Sequence, residues 1–385
     1  MYMPSPSIKA FASPMRYYQG PRILEKASGR LLKSLGGKPF IFGGGRALEA
    51  LEKHHFFKAL RSEELNYVRE LFGGECCDDE IERLCRMASD SSCDIIVGAG
   101  GGKALDTAKA VGVRLKAPII CIPTIASTDA PTSSLSVVYT TEHEFKEYRF
   151  YNIAPTSVLV DTNVIVEAPA RFLACGIGDA FSKKFEVEAC YSSGGRNQIA
   201  EPVEGHSPIA ALYLAKATQR VLKSWAREAM YSVKRGVVST ALEAVVEACI
   251  LLSGLSFESG GLAAAHSIYD GFTLLEDEMK PPQYHGELVF FGTCVQLSLE
   301  GRPGTVIRNA FKFGYEIGLP ISLRDIGLVE ASDEEIWMVS EKAVAEGETI
   351  HKMPMEITAE AVFNSIKTVD ILGERFSRDF SREAY

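Results

Sequence analysis

The segment IIVGAGGGKALDTAKAV, from Ile95 to Val111, joins a predicted strand to a predicted helix through a cluster of glycines. The strand is short and apolar, and the helix, from Lys103 onward, has small and apolar residues on one face. The joint is formed by Gly98, Gly100, Gly101 and Gly102. Glycines leave the backbone N–H groups of a helix N-terminus open to a ligand, and the helix dipole favours negative charge there. The segment therefore predicts a strand–turn–helix unit that binds a diphosphate.

Two common phosphate-binding fingerprints do not match this joint. In a Walker A motif Val97 would have to be glycine and Ala104 would have to be Ser or Thr. In the GxGxxG fingerprint Lys103 stands at the last glycine position. A tight strand–helix turn without a ligand is therefore the alternative interpretation.

Strands and helices alternate through the first half of the chain. β-prone runs occur at Phe40–Phe42, Tyr67–Leu71, Ile95–Val97, Ile119–Ile122 and Val158–Val160. This alternation predicts a mostly parallel, Rossmann-like sheet with helices on both faces, and the polar stretch 134–152 is predicted to form an added hairpin. Beyond Ala170 the patterns are mostly helical. We therefore expect an α/β domain over residues 1–168, an all-α domain over 169–385, and an active site in the cleft between them.

A second informative stretch is PTIASTDAPTSSLSVVY, from Pro123 to Tyr139. It follows the predicted strand Ile119–Ile122 and is rich in hydroxyl side chains, with one carboxylate, Asp129. Ligands of open α/β sheets bind at the carboxyl ends of the strands. We interpret the stretch as a wall for a nucleotide and a substrate. The alternatives are that the hydroxyls only fill a loop and that Asp129 caps a turn.

Two of the seven histidines stand in positions typical of metal ligands. His266 follows a run of very small residues, and His285 is predicted to open an apolar helix. Asp179, in GIGDAF, is the candidate third ligand and is predicted to lie at the start of the first helix of the second domain. Two imidazoles and a carboxylate with a free fourth position are typical of catalytic zinc. The other five histidines are interpreted as structural.

Composition and charge exclude several classes of function. The net charge of −9 disfavours nucleic-acid binding, which depends on neutralising phosphates with basic residues. The N-terminal residues lack a secretory apolar core, and we expect no membrane span. Nine scattered cysteines without a CxxC pair predict reduced thiols. These features favour a cytoplasmic protein that binds small molecules.

The chain resembles the glycerol dehydrogenases of the iron-containing (group III) alcohol dehydrogenase superfamily, whose fold is shared with dehydroquinate synthase. The resemblance rests on the segments GAGGGKALDTAKAV, PTIASTDAPTSSLSVVY, GIGDAF, FESGGLAAAHSIYDGFTLLE and YHGELVFFGT. It implies a metal-dependent enzyme that oxidises glycerol or a small 1,2-diol reversibly to the hydroxyketone. It also implies a homo-oligomer, of which an octamer is one form.

The resemblance assigns a role to each candidate site residue. The diphosphate of NAD is expected on Gly100, Gly101, Gly102 and Lys103, and the cofactor is expected to be lined by Thr124, Ser127, Ser133, Leu135 and Tyr139. Asp129 is expected to contact the polyol. Asp179, His266 and His285 are expected to hold Zn²⁺, with another divalent metal such as Fe²⁺ as the alternative.

The chain departs from its family where the first strand ends. Relatives usually have an acidic residue that binds the adenosine ribose, whereas Gly44 stands here, followed by Arg46. An arginine can accommodate the 2′-phosphate of NADP. We therefore predict that NADP is accepted beside NAD. Tyr269 and Asp270 also differ from many relatives, which leaves the exact substrate open.

Four alternative functions remain to be weighed against this one. A hydroxycarboxylate dehydrogenase of the same superfamily would reduce 2-oxoacids, but Asp129 would repel a substrate carboxylate. Glycerol-1-phosphate dehydrogenase and dehydroquinate synthase would need a basic cluster facing the metal. A catalytically silent nucleotide-binding protein is disfavoured by the intact set Asp179, His266 and His285.

Overall fold

The computed structural model describes residues 7–199 and 203–383. Its strands, in chain order, are β1 (Tyr17–Gly20), β2 (Pro39–Gly43), β3 (Val68–Leu71), β4 (Ile95–Gly100), β5 (Ile119–Pro123), β6 (Leu135–Tyr139), β7 (Phe145–Phe150) and β8 (Ser157–Asp161). Six strands form one parallel sheet in the order β1-β8-β5-β4-β2-β3. The other two, β6 and β7, pair as a separate antiparallel hairpin. The predicted parallel sheet and the predicted hairpin are both confirmed.

Helices cover both faces of this sheet. They are α1 (Ile23–Lys33), α2 (Gly45–Lys53), α3 (Phe56–Ser62), α4 (Asp78–Asp90), α5 (Gly102–Leu115) and α6 (Thr162–Ile165). One apolar cluster joins Ile41 of β2 to Phe57 of α3, and another joins Phe40 of β2 to Leu84 of α4. Successive residues of β2 thus point to opposite buried faces, which explains why its sequence is apolar throughout.

The remainder of the described chain is helical, as predicted. The helices are α7 (Ala170–Ser193), α8 (Ile209–Arg235), α9 (Thr240–Glu247), α10 (Ser253–Gly260), α11 (Ala264–Phe272), α12 (His285–Leu299), α13 (Gly304–Ile317), α14 (Asp333–Ala343) and α15 (Ala359–Glu383). A π-helical turn, Ala248–Leu252, connects α9 to α10, and short 3-10 turns occur at Thr273–Glu278 and Thr349–Lys352. The helical core also includes Val158 and Val160 of β8, so apolar packing is continuous across the expected domain boundary.

The continuous helical run Thr240–Gly260 is long and apolar enough, by length and composition, to cross a membrane. Half of its most apolar window is buried inside the protein. Leu242, Val245 and Val246 of this run are fully buried and belong to the helical core. The run therefore has the packing of a core helix.

The structure corrects three local predictions. The strand β1 was not anticipated, because YYQG has no alternating pattern and its parallel partner β8 lies about 140 residues later in the chain. Gly98 and Gly100 belong to β4 and not to the turn after it. Asp179 is the tenth residue of α7 and not its start. Gly176 and Gly178, which precede Asp179, also lie inside this helix.

Candidate active site

Two glycine turns meet at one point on the carboxyl edge of the sheet. The strands β2 and β4 are neighbours, although β3 follows β2 along the chain, so the strand order reverses between them. Ligands of open α/β sheets bind at such a switch point. Gly44 caps the N-terminus of α2, and Gly101 caps the N-terminus of α5. Two helix N-termini therefore point their free N–H groups toward this crevice.

The glycines of the second turn have different roles. A Cβ on Gly98 would lie 2.4 Å from the Cβ of Ala108, so close strand–helix packing explains this residue. Gly100 has φ +148°, a backbone conformation that favours glycine. A Cβ on Gly102 would meet nothing closer than 3.8 Å, so the first turn of α5 stays accessible. The tight-turn interpretation therefore accounts for Gly98 and Gly100, whereas Gly102 leaves space for a ligand.

Lys103 is held beside this turn by a buried glutamate that the sequence did not single out. Its Nζ atom lies 2.6 Å from Oε2 of Glu75, and Nδ1 of His143 lies 2.7 Å from the same oxygen. The ammonium also lies 4.7 Å from the ring centre of Tyr139. Burial opposes ionisation of Glu75, but the contacts with Lys103 and His143 lower its pKa. His143, interpreted as structural, therefore takes part in a charged cluster at the nucleotide crevice.

The loop after β5 lies beside the same crevice. The backbone N–H of Thr124 donates to the carbonyl of Gly100, which joins the two turns. Ser127 and Leu135 are buried, whereas Tyr139 is half-buried. Ser133 is also buried and accepts a hydrogen bond from the buried ammonium of Lys109. The contacts of these residues with a cofactor stay predictions.

The three predicted metal ligands converge from three helices. Asp179 of α7, His266 of α11 and His285 of α12 each offer a ligand atom, and these atoms lie within 4.8 Å of one another. Oδ1 of Asp179 is 3.6 Å from Nε2 of His266 and 3.8 Å from Nε2 of His285. A Cβ on Gly286 would lie 1.9 Å from the carbonyl oxygen of Cys175, so glycine lets α12 approach α7 closely. This donor set suits a divalent metal such as zinc.

A second carboxylate fixes the orientation of one imidazole. Oε2 of Glu186 lies 2.7 Å from Nδ1 of His266, while Oε1 accepts backbone hydrogen bonds from Ala263 and His266. Although Glu186 is buried, His266 and Lys183 lower its pKa to about 2. Because a carboxylate accepts only, Nδ1 carries a proton and Nε2 faces Asp179. Glu186 was missed, although it lies two helical turns after Asp179 on the same face of α7.

Lys183, also missed, extends into this cluster of candidate metal ligands. Its side chain is 1% exposed, and its Nζ atom donates to Oδ1 of Asp179. The same atom lies 3.3 Å from Nε2 of His266 and 3.4 Å from Oδ2 of Asp129. Burial opposes its charge, but Asp129 and Asp179 raise its pKa. The one signal available in the sequence was its spacing of four residues from Asp179.

Asp129 lies beside this cluster, as predicted. Oδ2 of Asp129 accepts a hydrogen bond of 2.6 Å from Ser253 and faces the ammonium of Lys183. Burial and the neighbouring charge of Asp179 raise the pKa of Asp129, whereas Lys183 lowers the pKa of Asp179 despite complete burial. The two carboxylates are therefore unequal, and Asp179 is the more strongly ionised of the two.

The outer side of the cluster is formed by His285 and Tyr269. The ring of Tyr269 meets the ring of His285 edge-on, with centres 4.4 Å apart. Burial lowers the pKa of His285 to about 4, since the charge of Asp179 offsets the burial only in part. A neutral imidazole is the form that binds a metal. The residue after Tyr269, Asp270, accepts a hydrogen bond from Tyr148 of the hairpin.

Comparisons with known proteins agree with this geometry. Residues 14–162 match the family model of the iron-containing alcohol dehydrogenases. A glycerol dehydrogenase of Citrobacter freundii is 42% identical over 369 residues, covering 96% of this chain and 99% of the relative. A glycolaldehyde reductase of Halobacterium salinarum is 40% identical, covering 95% and 98% of the two chains.

A solved structure shows the same likeness in three dimensions. The crystal structure of glycerol dehydrogenase from Schizosaccharomyces pombe superposes with a TM-score of 0.91 at 34% identity, covering 99% of this chain and 95% of that one. Both the α/β part and the helical part are therefore shared. The chain belongs to the iron-containing alcohol dehydrogenase family, is similar over its full length to the family's glycerol dehydrogenases, and is an alcohol dehydrogenase.

Proposed function

We propose that the enzyme oxidises glycerol or a small 1,2-diol reversibly to the corresponding hydroxyketone, with NAD as hydride acceptor and NADP as a second acceptor. The observation that carries the proposal is the convergence of Asp179, His266 and His285 beside the buried carboxylate of Asp129. The names of the relatives support the same substrate class, since those from C. freundii and S. pombe are glycerol dehydrogenases.

The metal would be held by Asp179, His266 and His285. A divalent zinc or iron ion supplies a Lewis acid that lowers the pKa of a coordinated hydroxyl group. Glu186 holds the His266 ring in the orientation that presents Nε2. Neutral His285 presents Nε2 without competition from a proton near pH 7, because the pKa of this imidazole is about 4.

Asp129 would select the polyol. Its carboxylate is buried, and Ser253 and Lys183 orient it from two sides. A carboxylate oxygen with a free lone pair accepts a hydrogen bond from a second hydroxyl group of the substrate. A diol makes this bond and a simple alcohol does not, so Asp129 favours vicinal diols.

The nucleotide would lie across the switch point between β2 and β4. Its diphosphate would meet the first turn of α5, where Gly102 leaves the N–H groups accessible. Arg46, on the exposed side of the first turn of α2, has no ion pair among the described residues and is free to meet a 2′-phosphate. The same position lacks the acidic side chain that would repel NADP.

Reduction of 2-oxoacids is the less favoured function, but the structure weakens the charge argument against it. Asp129 alone would repel a substrate carboxylate, but Lys183 partly neutralises it across 3.4 Å. The charge argument is therefore weaker than the sequence suggested, and the polyol assignment depends more on the full-length likeness to glycerol dehydrogenases. A catalytically silent protein is disfavoured by the assembled ligand set.

A substrate panel tests the proposal. Purified protein is assayed with glycerol and 1,2-propanediol in the oxidative direction, and with dihydroxyacetone and pyruvate in the reductive direction, each with both nucleotides. We expect higher kcat/KM for the hydroxyketone than for the oxoacid. Faster reduction of pyruvate than of dihydroxyacetone would reject the polyol assignment.

We further propose that the enzyme is a cytoplasmic homo-oligomer, for which an octamer is the specific expectation. The net charge of −9 and the family likeness support small-molecule partners and no nucleic acid. Light scattering during size-exclusion chromatography measures the assembly directly. A monomer at micromolar concentration would contradict this part of the proposal.

A further inference from the structure

The ammonium group of Lys183 is buried among the side chains that we propose as metal ligands. Lys183 belongs to α7, one helical turn after Asp179, and its side chain is 1% exposed. The aliphatic part of such a chain can pack among apolar residues, but a buried ammonium needs acceptors for its three N–H groups. The role of Lys183 therefore depends on which atoms surround its ammonium group.

Two of the atoms next to the Lys183 ammonium are atoms that a metal would use. The Nζ atom of Lys183 donates to Oδ1 of Asp179 and lies 3.3 Å from Nε2 of His266. Because Nδ1 of His266 is bound to Glu186 at 2.7 Å, the nitrogen that lies beside the ammonium is Nε2, the one that a metal would use. Lys183 therefore contacts one oxygen and one nitrogen of the proposed ligand set.

The third neighbouring atom lies outside that set. Oδ2 of Asp129 is 3.4 Å from Nζ of Lys183, and Ser253 donates to the same oxygen. A metal bound to Asp179 and His266 would not use Asp129. The carboxylate of Asp129 would therefore still be available to the ammonium. Lys183 is within reach of both partners without moving its backbone.

The charges explain why a cation is needed here. Asp129, Asp179 and Glu186 are all buried, and unpaired buried carboxylates are strongly destabilising. Lys183 supplies the compensating charge when no metal is bound. A divalent cation on Asp179 and His266 would meet an ammonium bound to the same two atoms, and like charges at that distance repel strongly.

We propose that Lys183 is an internal counter-ion that stands in for the metal in the metal-free protein and competes with it for Asp179 and His266. The inference rests on the metal site proposed above. Metal binding displaces the ammonium from these two atoms, and Asp129 is the carboxylate that remains in its reach. Lys183 thereby stabilises the empty site and weakens the affinity of the site for metal.

The test compares Lys183→Met with Lys184→Met. Methionine is an unbranched side chain, one atom shorter than lysine, and carries no charge. Lys184 is the neighbouring residue on α7 but pairs with Glu188 at 3.2 Å, away from the site. Chelator-treated full-length protein is titrated with Co²⁺, whose visible absorption reports coordination, and with Zn²⁺ by calorimetry. Thermal unfolding is recorded with and without metal.

We expect Lys183→Met to bind metal at least tenfold more tightly, a difference of about 1.4 kcal/mol. Its metal-free form should unfold at a lower temperature than the unmutated protein, and metal should remove that deficit. Lys184→Met should match the unmutated protein in both measurements. A merely structural lysine would not give tighter metal binding together with a less stable metal-free form.

Equal or weaker metal binding by Lys183→Met would overturn the inference. If that variant is insoluble without metal, its recovery by Zn²⁺ during refolding supports the inference, and failure to recover contradicts it. Lys183→Gln gives a second measurement with the same expected direction. His285→Ala separates the two proposals: if it and the unmutated protein bind Co²⁺ equally, the metal site itself is wrong.

Discussion

Oε2 of Glu186 lies 2.7 Å from Nδ1 of His266, and this contact turns the other ring nitrogen toward Asp179. Carboxylates in this position fix the tautomer of a ligating imidazole and typically contribute a factor of about 10 to 100 in metal affinity. Glu186→Gln should therefore weaken metal binding by about that factor. Calorimetric titration with Zn²⁺ measures the effect, with Glu188→Gln on the same helix as the control. Unchanged affinity would show that Glu186 has only a packing role.

His266→Ala should abolish turnover while leaving the fold largely intact. The substitution removes one of three proposed ligands, but Glu186 keeps the hydroxyl of Ser182 at 2.8 Å and the backbone N–H groups as donors. The buried carboxylate of Glu186 is therefore not left without a partner. Measured kcat and circular dichroism test the two halves of the prediction. The control is His351→Ala, a change at an exposed histidine distant in sequence from the cluster, which should retain activity.

Asp129→Asn should lower kcat/KM for diols and improve the relative use of acidic ketones. The substitution removes a negative charge that faces Lys183 and that we propose to face the substrate, so the ammonium becomes available to a substrate carboxylate. The ratio of kcat/KM for pyruvate to that for dihydroxyacetone is the quantity to measure. An unchanged ratio would place Asp129 outside substrate selection.

Gly44→Asp should depress the use of NADP and leave the use of NAD similar or improved. A Cβ at this position meets nothing within 4 Å, and the residue caps the N-terminus of α2, where aspartate is favoured. The new carboxylate would repel a 2′-phosphate. Gly44→Ala controls for loss of the glycine.

The prediction that NADP is accepted beside NAD can also be tested with the unmutated protein. Discrimination against NADP by a thousandfold or more, on the order of 4 kcal/mol, would contradict it. Selectivity for NAD would then have to come from a residue other than Gly44 or Arg46. Steady-state kcat/KM for the two nucleotides, measured at one diol concentration, decides the matter.

Asp270 should make the folded protein less stable as the pH rises. Burial and the nearby charge of Glu348 raise the pKa of Asp270 to about 7, whereas an unfolded aspartate has a pKa of about 3.9. The folded state therefore binds more protons between these two values, so its free energy of unfolding falls as the pH rises from about 4 to about 7. Above the pKa of the folded state, the free energy of unfolding has fallen by the full amount.

Asp270→Asn removes this dependence and still accepts the hydrogen bond from Tyr148. The variant should gain stability relative to the unmutated protein between pH 5 and pH 8, by a few kcal/mol at most. Urea unfolding at several pH values measures the difference. The control is Asp277→Asn, at an exposed position on the same segment. A difference that stays constant with pH would contradict the assignment.

The sequence singled out two of the candidate metal ligands, His266 and His285, because histidines are conspicuous. Histidine is rare in this chain, and His285 is the first residue of α12, as anticipated. Lys183 and Glu186 were missed because a charged residue on a helix is usually solvated, and spacing alone does not show that α7 is buried on nearly all sides. Their role depends on packing against α11, which comes about 80 residues later.

The error about Asp179 has a similar cause. Gly176 and Gly178 precede Asp179, and glycine is unfavourable inside helices, so local propensity gives no sign that α7 begins before them. In the structure a Cβ on Gly176 would lie 2.0 Å from the carbonyl oxygen of Ala126, and a Cβ on Gly178 would lie 2.3 Å from that of Gly286. These glycines let the loop after β5 and helix α12 approach α7. Close approach between distant segments is a tertiary requirement that local propensity does not reveal.

X-ray absorption spectroscopy of the zinc-loaded enzyme tests the central claim most directly, because it reports which atoms bind the metal. We predict a first shell of nitrogen and oxygen alone, at about 2.0–2.2 Å, with scattering from two imidazole rings. His285→Ala should remove one of the two imidazole contributions. A sulfur shell at about 2.3 Å would assign the metal to cysteine thiolates and contradict the site formed by Asp179, His266 and His285.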